Sequence, residues 1–339
     1  MVTLSLIREM GPVITALICA GKIGSGMGES DLSEEDTNNT KQRTQNNEQF
    51  NHMKRYFILL LVSVFSLQGI SQKAAYKLYK ADGTETGYQE LLRSATNKEI
   101  VLFGELHNNP ICHWLQLQLA MDLYQESSGK LTLGAEMFER DNQLIIDEFL
   151  RGLISEQSFE KQARLWPNYH TDYKPLLTFA KEKDIPFIAT NIPRRYASMT
   201  VSGGFESLDS LHKNAYQWIA PLPVDYDPEL PAYKKMLTMT GMHRKPNENL
   251  PKAQAIKDAT MAHFILENKS ENNVFLHYHG TYHSNNYEGI YWYLKNYDAN
   301  TEPLTIASVQ QKDIQKLEEN NHKLADFILV IPQNMTKTH

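Results

Sequence analysis

Six short apolar runs, rich in β-branched residues, set the frame of this chain: residues 99–103, 131–136, 185–190, 274–279, 304–308 and 327–331. Most are continuous rather than alternating, the pattern of strands covered on both faces. Helical patterns stand between them. Asn108-Asn109-Pro110 gives an N-cap with proline in the first turn. Leu115, Leu119 and Leu123 then repeat at four-residue spacing, and Gly129 stops the helix. Residues 172–183 and 252–268 read as further helices, the second with Ala255, Ala259, Ala262 and Leu266 on one stripe. This alternation implies an α/β fold: a largely parallel sheet flanked by helices, with right-handed crossovers. Residues 139–169 and 194–252 carry helical or proline-rich pattern and no strand, so they are expected to form a helical insertion lobe.

The first seventy residues stand apart. Residues 13–20 form one apolar run, too short to span a bilayer. Residues 29–52 are polar and are expected to be disordered. Met53-Lys54-Arg55 then precedes an apolar run over 56–67 and the exit Gly69-Ile70-Ser71-Gln72. A positive start, about a dozen apolar residues and small residues after them make a secretory signal peptide. Translation is therefore expected to start at Met53, with 1–52 an upstream extension, 53–72 the signal peptide and 73–339 the exported domain, in the periplasm or cell envelope. The competing reading is a membrane anchor at 56–67. No cysteine follows the run, so lipid attachment there is excluded, and Cys19 follows Ile18, too large for a lipoprotein cleavage site. The exported domain keeps one cysteine, Cys112.

Composition narrows the function. Lys plus Arg number 34 and Asp plus Glu 40, a net charge of −6. That gives no basic footprint for nucleic acid. Two cysteines exclude a disulfide scaffold and a Cys-rich zinc or iron–sulfur site.

Ligands of an open α/β sheet bind at the carboxyl ends of its strands. Gly104-Glu105-Leu106-His107 follows the first run. Glu136 ends the second, before Met137-Phe138-Glu139-Arg140. Asn191-Ile192-Pro193-Arg194-Arg195 follows the third, and His279-Gly280-Thr281-Tyr282-His283 the fourth. Two Gly-x-x-His turns, carboxylates and an arginine thus fall where they could converge. Histidine with carboxylate suits a transition metal or an acid–base pair. Residues 166–175 are dense in tyrosine and histidine, including Tyr169 and Tyr173, and tyrosinate can ligate ferric haem. Met236, Met239 and Met242 repeat at helical spacing before His243, a pattern of core packing that also suits a flat apolar ligand.

Gly104-Glu105-Leu106-His107-Asn108-Asn109-Pro110, Glu136-Met137-Phe138-Glu139-Arg140, Asn191-Ile192-Pro193-Arg194, Asp258-Ala259-Thr260-Met261-Ala262 and Gly280-Thr281-Tyr282-His283 resemble, in order, the ChaN-like haem-binding uptake proteins. Their superfamily includes the Tiki metalloproteases, TraB-like proteins and erythromycin esterases. The resemblance spans about residues 74–297. It implies a cell-envelope protein of iron acquisition that binds haem, as a cofacial pair at a homodimer interface, serving an outer-membrane haem receptor. It implies Tyr173 as iron ligand, with Tyr169 next in line, His107 and His283 assisting, Arg194 on a propionate and Met242 against the porphyrin. The Tiki-like alternative places Glu105, His107, Glu136 and His283 around a divalent metal, manganese, cobalt or zinc, in a hydrolase; an esterase-like one uses histidine as base without metal.

Overall fold

Successive residues of one strand divide the core. Val101 and Phe103 pack into one apolar cluster, and Ile100 and Leu102 into a second. A strand turns alternate side chains to opposite faces, so a run apolar at every position must be covered twice. Each such side chain, fully withdrawn from water, contributes about 1.5–3 kcal/mol.

The structure is a computed structural model and describes residues 50, 54, 73–238 and 247–339. The chain divides into two units, Met1–Gln72 and Lys73–His339, and the second carries the fold. The expected upstream extension, the signal peptide, Cys19, Met239, Met242 and His243 lie outside the described residues. Among the described residues no helix is long and apolar enough to cross a membrane.

Eight strands form one sheet in the order β2-β1-β8-β7-β3-β6-β4-β5. They are β1 (Lys77–Lys80), β2 (Glu85–Thr86), β3 (Ile100–Glu105), β4 (Leu131–Glu139), β5 (Phe187–Asn191), β6 (Val274–Gly280), β7 (Leu304–Gln311) and β8 (Phe327–Pro332). The pairings among β8, β7, β3, β6, β4 and β5 are parallel; β1 joins β8 antiparallel, and β2 joins β1. The six apolar runs are the six parallel strands. The edge hairpin β1–β2 escaped the sequence reading because Lys-Leu-Tyr-Lys and a two-residue strand carry no continuous apolar signal.

The helices named below are α1 (Tyr88–Thr96), α2 (Pro110–Glu126), α3 (Gln143–Leu150), α4 (Glu156–Gln162), α5 (Lys174–Lys183), α6 (Arg194–Gly203), α7 (Pro231–Thr238), α8 (Asn249–Asn268) and α9 (Ile290–Tyr297). Asn109 caps α2, its side chain accepting from the amides of Ile111 and Cys112, with Pro110 at the first turn. Gly129, at φ +84°, donates back to the carbonyl of Tyr124 and closes the helix. Cys112 is buried, and burial pushes its thiol up to about 12.

The two strandless insertions are helical, as expected, but cover opposite faces. Phe149 and Phe159, from α3 and α4, join the cluster holding α2 and α5. Tyr196, Leu208, Ala215 and Tyr233 join the cluster holding α8 and α9. A π-turn, Tyr169–Tyr173, precedes α5, a local geometry that often marks functional positions.

Candidate functional site

The chain crosses β3 between β6 and β7, so the order of connections reverses there, and a cleft opens at the carboxyl ends of such strands. β3 ends at Glu105, and β6 ends at Gly280 before the turn Thr281–His283. β4 shifts register against β5 between Ala135 and Glu139. A bulge of this kind re-aims a side chain, and here the irregular stretch holds Glu136.

Glu105 is buried and saturated with donors. Its Oε1 accepts from the Tyr173 hydroxyl at 2.7 Å and lies 2.9 Å from His107 Nδ1; its Oε2 accepts from Gln116 Nε2 at 2.6 Å. A carboxylate withdrawn from water needs such partners. They also fix the His107 ring, with Nδ1 held and Nε2 left over. The side chain of His107 remains 39% exposed, and its ring meets Trp166 edge-on at 4.9 Å. Burial acts to lower the His107 pKa, but the Glu105 hydrogen bond and the charge of Glu136 prevail and raise it. Asn168 holds the His107 carbonyl at 2.7 Å.

Glu136, His283 and Asp258 form a second, fully buried chain. Glu136 Oε2 accepts from the Gly280 amide at 2.8 Å, and its Oε1 lies 3.2 Å from His283 Nε2. His283 Nδ1 donates to Asp258, whose other oxygen accepts from Tyr233 at 2.9 Å. Burial opposes a charge on His283, yet Glu136 and Asp258 push its pKa up to about 10. Burial likewise works against Glu136, but His283, His107 and the Gly280 amide hold its carboxyl well below the usual range. These directions favour an imidazolium beside the Glu136 carboxylate, while burial outweighs His283 at Asp258 and raises the Asp258 pKa.

The two groups meet over Gly280. A Cβ there would come within 2.6 Å of His107 Nε2 and 3.6 Å of Glu136 Oε2. Gly280→Ala is therefore expected to cost about 1–3 kcal/mol and to push His107 off Glu105. A lowered melting temperature with a shifted His107 ring resonance is the expected result; an unchanged resonance would contradict it. Beneath this layer Thr190, His277, His279 and Ser284 make a continuous buried hydrogen-bond chain. Burial drives both histidines neutral, His277 down to about 3.

An open cleft of about 810 Å³ lies beside this layer, lined by Trp166, Pro167, Arg164, Arg194 and Arg195 among others. An inner pocket of about 160 Å³ reaches from it to Glu136 and shares Glu139, Trp166 and Arg194 with it. Arg164 pairs with Glu139 at 2.9 Å and with Asp141, and Arg195 pairs with Asp141 at 2.6 Å. The Arg194 side chain has no hydrogen bond or ion pair among the described residues.

The structure thus brings Glu105, His107, Glu136 and His283 together. Arg194 stands in the adjacent cleft. Tyr173 is 1% exposed and committed to Glu105, and burial with the Glu105 charge raises its pKa far above the ordinary tyrosine value. Tyr169 is buried against Phe138 and Phe159. Among the described residues no group of three or more His, Cys, Asp or Glu is arranged to hold a metal ion. Asp258, Tyr233, Gln116 and Asn168 were not singled out as site residues from sequence. Asp258 left a signal, a carboxylate inside the alanine-rich buried stripe of α8.

The comparisons agree with this architecture. Residues 91–294, more than half of the chain, match the family described as haem-binding uptake, Tiki superfamily, ChaN. Residues 1–30 match the permease MlaE family. No curated protein matches the chain. Among solved structures, cofacial heme binding to ChaN of Campylobacter jejuni is similar at a TM-score of 0.59 and 15% identity, covering 76% of this chain and 96% of that one. The type III effector HopBA1 follows at 0.40 and 13% identity, covering 72% and 92%. RRSP, a MARTX toxin effector domain from Vibrio vulnificus, reaches 0.38 and 14%, covering 74% and 41%. At these two lower scores the likeness does not define a fold. A mostly parallel eight-stranded sheet, the strand-end residues and the family match over residues 91–294 place the chain in the ChaN family of haem-binding uptake proteins, within the Tiki superfamily.

Proposed function

We propose that this chain binds haem as cargo in the 810 Å³ cleft, in the service of iron uptake at the cell envelope. The observation that carries the reading is the cleft itself: Arg194, without a side-chain partner among the described residues, beside Trp166, whose indole meets the His107 ring edge-on at 4.9 Å. Its volume lies within the range of small-molecule and cofactor sites. Arg194 and Arg195 suit propionates, because guanidinium binds carboxylate through two charge-assisted hydrogen bonds. Trp166 offers a flat apolar wall. His107 does not line the cleft and its Nε2 lies over Gly280, so it would reach the iron only once Trp166 or its own ring has moved; Glu105 holds Nδ1 and leaves Nε2, the arrangement that orients imidazole toward metals. Tyr173 could serve only by leaving Glu105 and losing its proton beside a carboxylate, which burial and charge both oppose. In this proposal two loaded chains pair haem against haem, the exported domain begins near residue 73, and the cargo passes to or from an outer-membrane receptor. The family match and the likeness to the haem-binding ChaN of Campylobacter jejuni support it.

The test is an absorbance titration of the full chain with haemin. Saturation near one haem per chain is expected. Arg194→Gln should weaken binding about ten- to a hundredfold, the worth of a hydrogen bond between charged groups. Unsaturable uptake, or equal affinity in the variant, would overturn the reading.

A second reading, acid–base hydrolysis, is favoured by the carboxylate-held His107 with its remaining nitrogen. Ester or peptide turnover by the haem-free chain, with or without manganese, cobalt or zinc, is its signature.

A further inference from the structure

We propose that the inner 160 Å³ pocket, which shares Glu139, Trp166 and Arg194 with the larger cleft, takes a small free α-amino acid as its own ligand. The argument starts from Asn191, which is only 8% exposed. Its Nδ2 donates to the Glu136 carbonyl at 3.0 Å. That carbonyl needs a donor, so the amide cannot be turned round. Asn191 Oδ1 is then left buried with no partner among the described residues, and a buried acceptor without a donor is costly. Asn191 lines the inner pocket together with Glu136 and Glu139. Arg164 takes one oxygen of Glu139, Oε2, and a carboxylate oxygen accepts more than one hydrogen bond.

The other polar lining is cationic. Arg194 and Lys257 complete the pocket, and neither side chain has a hydrogen bond or ion pair among the described residues. The lining therefore holds three residues with acceptor side chains, two of them carboxylates, and two cationic residues with no side-chain partner among the described residues. A plain anion such as a propionate would meet Glu136 and Glu139. A plain amine would meet Arg194 and Lys257. A zwitterion satisfies both: an ammonium has three donors for the three acceptors, and a carboxylate takes arginine and lysine together. The volume equals about five waters at roughly 30 Å³ each, enough for glycine, alanine or serine, with Ile192 and Trp166 as the apolar wall. Lys257, Glu136 and Asn191 do not line the larger cleft, whereas Arg194 lines both, so an amino acid and a haem propionate would compete for its guanidinium.

Calorimetric titration of the full chain with glycine, L-alanine and L-serine tests the proposal. L-lactate, which replaces the ammonium by a hydroxyl, and ethylamine, which lacks the carboxylate, are the controls. Saturable binding of at least one amino acid is expected, with lactate and ethylamine at least about tenfold weaker. Lys257 is partly exposed on α8, so Lys257→Met should keep the fold, which a thermal melt verifies. It should weaken amino-acid binding at least about tenfold and leave haemin binding unchanged. No heat from any of the three amino acids, meaning a pocket that holds water only, would overturn the proposal. So would lactate binding as tightly as alanine, or a Lys257→Met chain that binds like the parent. Haemin uptake is read separately, so failure here leaves the haem reading standing.

Discussion

Replacing His283 by alanine is expected to destabilise the chain by about 3–5 kcal/mol, the usual consequence of stranding a buried charge. Glu136 keeps only the Gly280 amide and distant His107, and Asp258 keeps only Tyr233. The same pair gives stability a pH signature. The His283 pKa rises on folding from 6.5 to about 10. Its contribution is therefore complete below about pH 6.5 and is lost as pH climbs toward 10. Glu136 is depressed from 4.5, so its contribution is present above that value and is lost as pH falls through the lower folded one. Urea unfolding at pH 6 and pH 9.5 measures the alkaline limb. The parent chain should lose several kcal/mol between the two, and His283→Ala should lose much less. Equal slopes in both chains would mean that His283 is not the charged centre.

On the proposed reading, His107→Ala should weaken haem binding at least about tenfold and change the Soret and charge-transfer bands, because it removes the imidazole proposed to ligate the iron. Tyr173→Phe should act differently. It removes a hydrogen bond to a buried carboxylate, at a cost of about 1.5–3 kcal/mol of stability, while leaving the haem spectrum in place. Spectra of both loaded variants, with a thermal melt of each, separate the roles. A Soret shift in Tyr173→Phe with a silent His107→Ala would return the iron to Tyr173.

What could be read from the residues alone follows from which signals are local. The parallel strands were legible because burial on both faces writes a continuous apolar run, and the start of α2 because Asn109 and Pro110 cap it in place. Glu105, His107, Glu136 and His283 were legible because strand order alone puts them at one edge of the sheet. Partnership was not. That Tyr173 would reach across 68 positions to Glu105, or that Asp258 on α8 would lie under His283, depends on how helices settle on opposite faces. The hairpin β1–β2 was missed for the opposite reason: its strands are too short and too polar to show a period.

A crystal structure of the haem-loaded full chain tests the central claim most directly. The account expects the propionates on Arg194 and Arg195, Trp166 moved to admit His107 to the cleft, and His107 Nε2 on the iron with Nδ1 still on Glu105. Porphyrin bound away from the Arg194 cleft, or iron carried by Tyr173 with the Glu105 contact broken, would contradict it.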